Sequence, residues 1–319
     1  MTNRNLSLDI LRILACLGVI TIHTAGSPPI MYGFVLPGSF EYNGCLALDA
    51  LSRWSIPLFA MLTGFFMLDL AKELTIKKLF SKYILRLFTA LVFWSAFYAL
   101  TLHKSFYPFG SQEGHFWYVG MCIGLYLAIP IMRMVATNER LLSYFCWTWL
   151  AIKCYQFIGN FTILPINMRD VIFVDYVGYC LFAYYLKNIS LTDTARKIIY
   201  MLGIAGLLIT IVIPILTNNE DYYTAPNVIA TTLAIFVFFL YHPVQMKSSI
   251  GNAIVTVSKC TFGIYLVHLW VLIQIIFRLH RFIHNSLILC LVCVPVTFLV
   301  GLGGILVISK LRYVNKYIV

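Results

Sequence analysis

Stretches of roughly 20 mostly apolar residues recur along the whole chain, separated by short polar segments. A helix of that length crosses the ~30 Å hydrocarbon core of a bilayer. No long polar block remains that would form a separate soluble domain. The pattern therefore predicts an all-α integral membrane protein, in which residues 1–319 form a single polytopic membrane domain.

About ten transmembrane helices are predicted from these stretches. Glycine and proline inside them are compatible with membrane helices, because neighbouring helices can satisfy the freed carbonyl groups. The fifth and sixth stretches are the weakest, since they are short or interrupted by polar residues. The predicted spans cover roughly residues 8–26, 44–68, 80–101, 115–136, 141–158, 170–187, 197–217, 226–243, 257–278 and 286–309.

Composition supports the membrane class. The chain is 61% hydrophobic and only 11% charged, whereas a soluble domain carries about 25% charged residues. Too few charges are left to cover a water-facing surface. The net charge of +11 is explained by topology and by contact with anionic membrane lipids, and it does not indicate a nucleic-acid partner.

The distribution of positive charge predicts the orientation. An even number of spans places both termini on one side of the membrane. Fifteen of the 23 lysines and arginines lie on that side, and only four lie in the opposite loops and helix ends. The positive-inside rule then predicts that both termini are cytoplasmic.

The first span carries the sharpest candidate chemistry. Arg12 and His23 are separated by about 20° more than three full helical turns, so they share a face about 16 Å apart along the axis. Asp9, Cys16 and Val19 occupy the same stripe, which predicts a polar lane that faces protein or water rather than lipid. In the alternative interpretation, Arg12 reaches the interface and pairs with Asp9, and His23 is a buried, hydrogen-bonded histidine.

A basic group begins the third span. Lys82 and Arg86 are four residues apart and are predicted to share a helix face, with Lys77 and Lys78 just before them. The lysines alone fit a positive-inside anchor. Arg86 lies deeper, and together with Arg12 it would suit phosphate groups, because the guanidinium fork matches phosphate oxygens.

Arg53 in the second span and His115 at the start of the fourth are further candidates. Asp49 lies four residues before Arg53, so an intrahelical ion pair is the alternative explanation for this arginine. Trp117 and Tyr118 follow His115 and fit an aromatic belt at the interface, which does not account for the histidine.

His268 shares one face of the ninth span with Thr261 and Tyr265. The alternative there is a polar packing seam between helices. The Cys290–Cys293 pair has no histidine or acidic neighbour in sequence, so these cysteines are predicted to pack in the interior, and no metal site is predicted.

Four segments, taken in order, resemble membrane acyltransferase family three, the polytopic O-acyltransferases that modify bacterial surface polysaccharides. The first segment has the family's pattern of a basic residue, ten further residues and a histidine. The others are similar to an arginine–proline–aromatic segment ending in Thr-Gly-Phe, to the fourth-helix signature and to a late Phe-Gly-Ile-Tyr-Leu-x-His stretch. They are residues 5–12 with His23, 53–65, 115–130 and 260–268.

The resemblance implies a multi-pass enzyme of the bacterial cytoplasmic membrane. It would use acyl-CoA, usually acetyl-CoA, as a co-substrate from the cytoplasm, with no permanently bound cofactor. The acceptor would be a sugar hydroxyl of a polysaccharide or of its lipid-linked precursor. The ~16 Å between Arg12 and His23 is roughly the reach of the pantetheine arm of CoA.

The resemblance also implies roles for individual residues. The cations at the cytoplasmic end would hold the CoA phosphates, and His23 would act as the general base or carry the acyl group covalently. Arg53 would stabilise the oxyanion. The remaining candidates would bind the acceptor. The donor-binding set is Arg12, Lys82 and Arg86; the acceptor set is His115, Trp117, Tyr118 and His268.

One position departs from the family pattern. Family members often have Arg-x-x-Arg at the start of the third helix, and here Tyr83 stands where the first arginine would be. Lys82 is a candidate substitute, although its point charge differs from a guanidinium fork.

A carrier or exporter of small solutes or glycans is the alternative from another class, because buried charges also suit transport. A carrier of this size is expected to contain inverted repeats with paired broken helices, and the chain has no such correspondence. A non-catalytic membrane partner is the third possibility.

Overall fold

The computed structural model of the protein describes residues 5–27, 34–103, 106, 114–159, 175–217 and 223–311. Within these ranges the backbone forms helices joined by short connections, and no strand occurs. The all-α class predicted from the sequence is therefore confirmed.

The described ranges contain twelve α-helices, α1 to α12 in chain order. A π-helical stretch, Leu79–Ile84, links α4 to α5, and a 3-10 turn, Gly114–Phe116, precedes α6. The helices are α1 Leu6–Ala25, α2 Phe40–Ser52, α3 Ser55–Met67, α4 Ile76–Lys78, α5 Leu85–Thr101, α6 Trp117–Ala136, α7 Glu139–Gly159, α8 Asp175–Asn188, α9 Asp193–Thr217, α10 Pro226–Tyr241, α11 Ser248–His280 and α12 Ser286–Ile308.

Seven helical units in the described ranges are long and apolar enough to cross a membrane, and α10 is a shorter apolar helix. The protein is thus a multi-pass membrane protein. The fifth and sixth predicted spans correspond to α7 and α8, which fall outside this set because α7 is rich in polar residues and α8 has only 14 residues. The start of the sixth predicted span, residues 170–174, lies outside the described residues. The count of ten and the cytoplasmic termini stay predictions.

The second predicted span is one apolar unit, Phe40–Met67, that breaks between α2 and α3 at Arg53 and Trp54. Pro57 explains the break, because it has no N–H to donate to the carbonyl group of Arg53 four residues earlier. The proline thus places Arg53 at a bend.

Contacts show the relative direction of neighbouring helices. α1 and α11 lie side by side in the same direction, since residues along α1 contact residues along α11 in the same order. The pairs are Asp9 with Ser258, Cys16 with Thr261 and His23 with His268. We call the end of the bundle where α1 and α11 begin the near end, and the opposite end the far end.

Hydrogen bonds and ion pairs connect the near end of α3 to α6 and α8. The Arg133 guanidinium on α6 donates to the carbonyl oxygens of Met67, Asp69 and Lys72 at 2.8–3.0 Å. The Asp69 carboxylate lies 3.2 Å from Lys187 Nζ and 3.4 Å from Lys72 Nζ. Partial burial acts to raise the pKa of Asp69, but the hydrogen bond and charge of Lys187 prevail and lower it.

The backbones of α3 and α8 approach each other closely at Gly64. A Cβ atom at this position would lie 2.1 Å from the carbonyl oxygen of Cys180, a distance that no side chain can occupy. The Cys180 thiol donates to the carbonyl oxygen of Ala60 at 3.2 Å, one turn away on α3. Gly64 therefore permits this packing, as small residues do at many membrane helix interfaces.

We expect Gly64→Ala to destabilise the protein by about 1–3 kcal/mol or more, because α3 and α8 must separate to admit the methyl group. The measurement is thermal unfolding in detergent. Gly124→Ala is the matched control, since a Cβ atom at Gly124 meets nothing within 4 Å. An unchanged unfolding temperature for Gly64→Ala would contradict the close approach.

Candidate functional site

Three histidine rings meet in the far half of the bundle. His23 comes from α1, His115 from the turn before α6, and His268 from α11. The ring centroids of His23 and His268 are 5.1 Å apart, those of His115 and His268 are 5.2 Å apart, and those of His23 and His115 are 6.2 Å apart. The sequence singled out each histidine separately, and the fold brings all three together.

The three rings differ in accessibility. His115 is 1% exposed and His268 is 0% exposed, whereas His23 is half-buried. A reactant can therefore reach His23 more readily than the other two rings.

The backbone of α11 orients the two buried histidines. His268 Nδ1 lies 2.5 Å from the carbonyl oxygen of Tyr265, and His115 Nε2 lies 3.5 Å from that of Leu266. The Tyr265 hydroxyl donates to the backbone carbonyl of His115. These contacts join the turn before α6 to α11.

Tyr98 of α5 supports the same segment. Its hydroxyl donates to the carbonyl oxygen of Leu266 at 3.2 Å and accepts from the Trp270 N–H at 2.9 Å, so it bridges two groups one helical turn apart. Its ring centroid is 5.5 Å from that of His115. Tyr98 was not predicted from sequence, because a tyrosine near the end of an apolar helix is common in membrane proteins.

Polar stripes on three helices connect the histidines to the near end, and we call this set the polar lane. Tyr118 packs 5.5 Å from Tyr265, and the Cys122 thiol is hydrogen-bonded to Tyr118. The lane residues are Arg12, Cys16 and His23 on α1; His115, Tyr118, Cys122 and Tyr126 at and along α6; and Ser258, Thr261, Tyr265 and His268 on α11. The lane predicted from α1 alone thus faces protein, in an arrangement shared by three helices.

Arg12 lies at the near end of the lane. Its Nη1 atom is 3.5 Å from the Ser258 hydroxyl and 4.0 Å from the Asp9 carboxylate, and its guanidinium lies 5.6 Å from the centroid of the Phe66 ring. The Ser258 hydroxyl donates to Asp9 at 2.6 Å. The Asp9 pairing considered as an alternative is thus present, and the arginine still faces protein with 29% of its side chain exposed.

Arg86 joins Arg12 at this end. Both guanidinium groups interact electrostatically with the Tyr126 hydroxyl, and Arg86 lies 5.9 Å from the centroid of the Phe262 ring. Tyr83, at the position where the family pattern has an arginine, stacks on Tyr126.

Lys82 lies four residues before Arg86, and both residues are exposed. Lys82 belongs to the π-helical stretch and lies 5.5 Å from the centroid of the neighbouring Tyr83 ring.

Arg53 forms the ion pair considered as its alternative. Its Nε and Nη2 atoms lie 2.8 and 2.7 Å from Asp49 Oδ2, and both side chains are largely buried. The guanidinium also lies 6.0 Å from the centroid of the Tyr223 ring.

Aromatic rings gather beside Arg53. Trp117 is 41% exposed, and its centroid lies 6.0 Å from that of Tyr176 and 6.2 Å from that of Tyr223, with which it stacks. Tyr118 turns instead towards Phe59 and the polar lane. Tyr176 and Tyr223 were missed from sequence, because tyrosines at helix ends are common in membrane proteins.

The cysteine pair lies apart from this site. Cys290 and Cys293 are fully buried in an apolar cluster with Cys45. Across the described part of the chain, no group of three His, Cys, Asp or Glu side chains is arranged to hold a metal ion.

Comparison with known families decides the class of protein. The family described as an acyltransferase domain, acyltransferase family 3, matches residues 5–309, which is nearly the whole chain. The chain belongs to acyltransferase family 3. The resemblance noted from four segments is therefore confirmed, and the protein is a membrane acyltransferase. No curated relative and no solved structure matches the chain significantly.

Membership of acyltransferase family 3 gives the polar lane a chemical context. An acyl transfer needs a place for the donor, a group that takes a proton from the acceptor, and a route by which the two reactants meet. The lane has cations at one end and imidazoles at the other, about 16 Å apart by helical rise.

Proposed function

We propose that this member of acyltransferase family 3 transfers an acetyl group from cytoplasmic acetyl-CoA to a sugar hydroxyl of a cell-surface polysaccharide or of its lipid-linked precursor. The supporting observation is the polar lane, in which Arg12 and Arg86 lie at one end and His23 at the other. The protein would work in the bacterial cytoplasmic membrane.

The donor would enter from the near end. Arg12 and Arg86 would bind the CoA phosphates through charge-assisted hydrogen bonds, and Lys82 would add a positive charge at the entrance. The pantetheine arm would follow the lane past Tyr126 and Cys122, so that the thioester reaches His23.

The reaction would begin when His23 takes the proton of the acceptor hydroxyl. The hydroxyl oxygen attacks the thioester carbonyl carbon, and its electrons move to the carbonyl oxygen. Arg53, held by Asp49, would stabilise that negative charge. The carbonyl then re-forms, the carbon–sulfur bond breaks, and the CoA thiolate takes the proton back from His23. The products are an acetyl ester and free CoA.

The acceptor would bind at the far end. Trp117, Tyr118, Tyr176 and Tyr223 offer flat aromatic faces next to His115 and Arg53, and such faces suit a sugar ring. The exposed part of Trp117 lies where an acceptor could approach.

The proposed topology has ten crossings with both termini in the cytoplasm. The packing directions are consistent with it, because α7 packs antiparallel to α8, through Trp149 with Tyr179 and Lys153 with Asp175, while α8 runs parallel to α3. α7 and α8 would then cross the membrane despite the polar residues of α7 and the short length of α8.

We expect His23→Ala to lower kcat for acetyl transfer by about 10²–10⁴-fold, because the general base is lost. The measurement is transfer of labelled acetyl from acetyl-CoA to surface glycan or lipid-linked sugar by purified protein. The variant should still be stabilised against heat by CoA. His242→Ala is the matched control, since His242 is exposed and lies outside the lane.

Wild-type transfer by His23→Ala would remove the proposed mechanism. Uptake of a solute into vesicles without CoA, together with no thermal shift from CoA, would favour the carrier.

We expect Arg12→Gln and Arg86→Gln each to raise the KM for acetyl-CoA about tenfold, the effect of losing one charge-assisted hydrogen bond. Both should also reduce the preference for acetyl-CoA over acetyl-pantetheine, which lacks the nucleotide phosphates. Arg140→Gln, at an exposed near-end position, controls for general attraction of anions. Equal effects on the two donors would contradict phosphate binding at Arg12 and Arg86.

We expect Ser190→Cys to react with a membrane-impermeant maleimide only after the membrane is opened, and His284→Cys to react in intact cells. Both positions are exposed. Ser190 follows α8 and His284 follows α11, and these helices would end on opposite sides of the membrane. Wild-type protein gives the background from its native cysteines. The reverse accessibility would contradict the orientation.

A further inference from the structure

The hydrogen bond of His268 determines which of its ring nitrogens carries hydrogen. Nδ1 lies 2.5 Å from the carbonyl oxygen of Tyr265, and a carbonyl oxygen can only accept. Nδ1 must therefore be the donor. In the neutral ring Nε2 is then unprotonated, and its lone pair is available as an acceptor.

This acceptor has no partner among the described residues. His268 is 0% exposed, and its Nε2 atom is buried without a hydrogen bond. An unsatisfied polar atom in such a place carries a desolvation cost and calls for a specific explanation. The ring centroids of His23 and His115 lie within 5.2 Å of the ring centroid of His268.

His23 is the candidate donor. The two rings are not hydrogen-bonded in this structure, and a rotation of the His23 ring would be needed to form the bond. The ring centroids of His23 and His268 are 5.1 Å apart. A hydrogen bond of about 2.9 Å between two imidazole nitrogens places the ring centroids roughly 5 Å apart. His115 is a poorer partner for His268, because its Nε2 already faces the Leu266 carbonyl and its Nδ1 atom also lacks a donor.

We propose that His268 is a positioning residue for His23. In the proposal, His268 Nε2 accepts a hydrogen bond from one ring N–H of His23, which leaves the other His23 nitrogen as the proton acceptor for the sugar hydroxyl. The proposal rests on the proposed function of His23. It replaces the expectation that His268 binds the acceptor, since a fully buried side chain offers no surface to a sugar.

The role follows the usual logic of an oriented base. The partner holds the imidazole in one tautomer and stabilises the imidazolium that forms when the hydroxyl proton arrives. No proton moves to His268 in this scheme. The proton stays on His23 until the CoA thiolate takes it.

Three substitutions at His268 separate this role from others. A glutamine side chain reaches the position of Nε2 with an oxygen acceptor, whereas asparagine reaches only to Nδ1 and alanine reaches neither. We expect His268→Gln to retain about a tenth of the wild-type kcat and His268→Asn and His268→Ala to lose about 10²–10⁴-fold. The KM values for acetyl-CoA and for the acceptor should stay within about twofold of wild type.

Two kinetic outcomes would overturn the proposal. If His268→Gln is as inactive as His268→Ala, a hydrogen-bond acceptor at the position of Nε2 does not support catalysis. If the KM for the acceptor rises while kcat is kept, His268 binds the acceptor instead. Thermal unfolding of each variant identifies misfolded protein, and the glutamine variant keeps the comparison informative if the alanine variant is unstable.

A second measurement does not depend on turnover. Diethyl pyrocarbonate modifies unprotonated imidazole nitrogens, and mass spectrometry of the peptide carrying His23 gives its rate in the full-length protein in detergent. We expect His268→Ala to change that rate by at least about threefold, His268→Gln to keep it, and His242→Gln to have no effect.

The two readouts distinguish the two proposals. An unchanged His23 modification rate in His268→Ala would overturn the pairing even if acetyl transfer occurs. Absence of transfer by wild-type protein would overturn the proposed function, and the modification rates would still decide whether His268 holds His23.

Discussion

Polar groups inside a bilayer-spanning bundle must find partners within the protein, and the organisation of the site depends on this constraint. Arg12 and His23 cannot face lipid, so α1 turns their stripe towards α6 and α11. Those helices present hydroxyl, thiol and imidazole groups at corresponding positions along the bundle axis. The packing of three polar stripes therefore creates the lane, and the same packing aligns the histidines at one end with the arginines at the other.

The histidine cluster is built mainly on the backbone of α11. The carbonyl oxygens of Tyr265 and Leu266 contact His268 and His115, and Tyr98 bridges Leu266 and Trp270. Because these carbonyl oxygens belong to one helix, the relative positions of the His115 and His268 rings are tied to a rigid element. Precise positioning of a base is worth more when its support is rigid, which makes α11 the support of the proposed chemistry.

The sequence alone indicated many residues of the site, but it did not indicate the contacts between them. Helical spacing placed Arg12 and His23 on one face. The break at Arg53 was not predicted, because Pro57 was read as compatible with one continuous span. The i, i+4 spacing of Asp49 and Arg53 indicated their ion pair, which the structure contains. The shared face of Lys82 and Arg86, predicted from the same spacing, stays a prediction. Tyr98, Tyr176 and Tyr223 were missed because aromatic residues are frequent in all membrane helices, and only long-range contacts distinguish these three.

By itself the sequence determined the helical membrane class, the membership of an acyltransferase family and the identity of the polar residues in the spans. These properties follow from local composition, helical period and short motifs, each of which is contained within one segment. The tertiary structure decided which polar residues meet, which of the three histidines is reachable, and which ring nitrogen of His268 is left to accept. Such facts depend on the relative rotation and height of helices that are far apart in the chain, such as those carrying His23 and His268, which are 245 positions apart. No local pattern encodes that geometry.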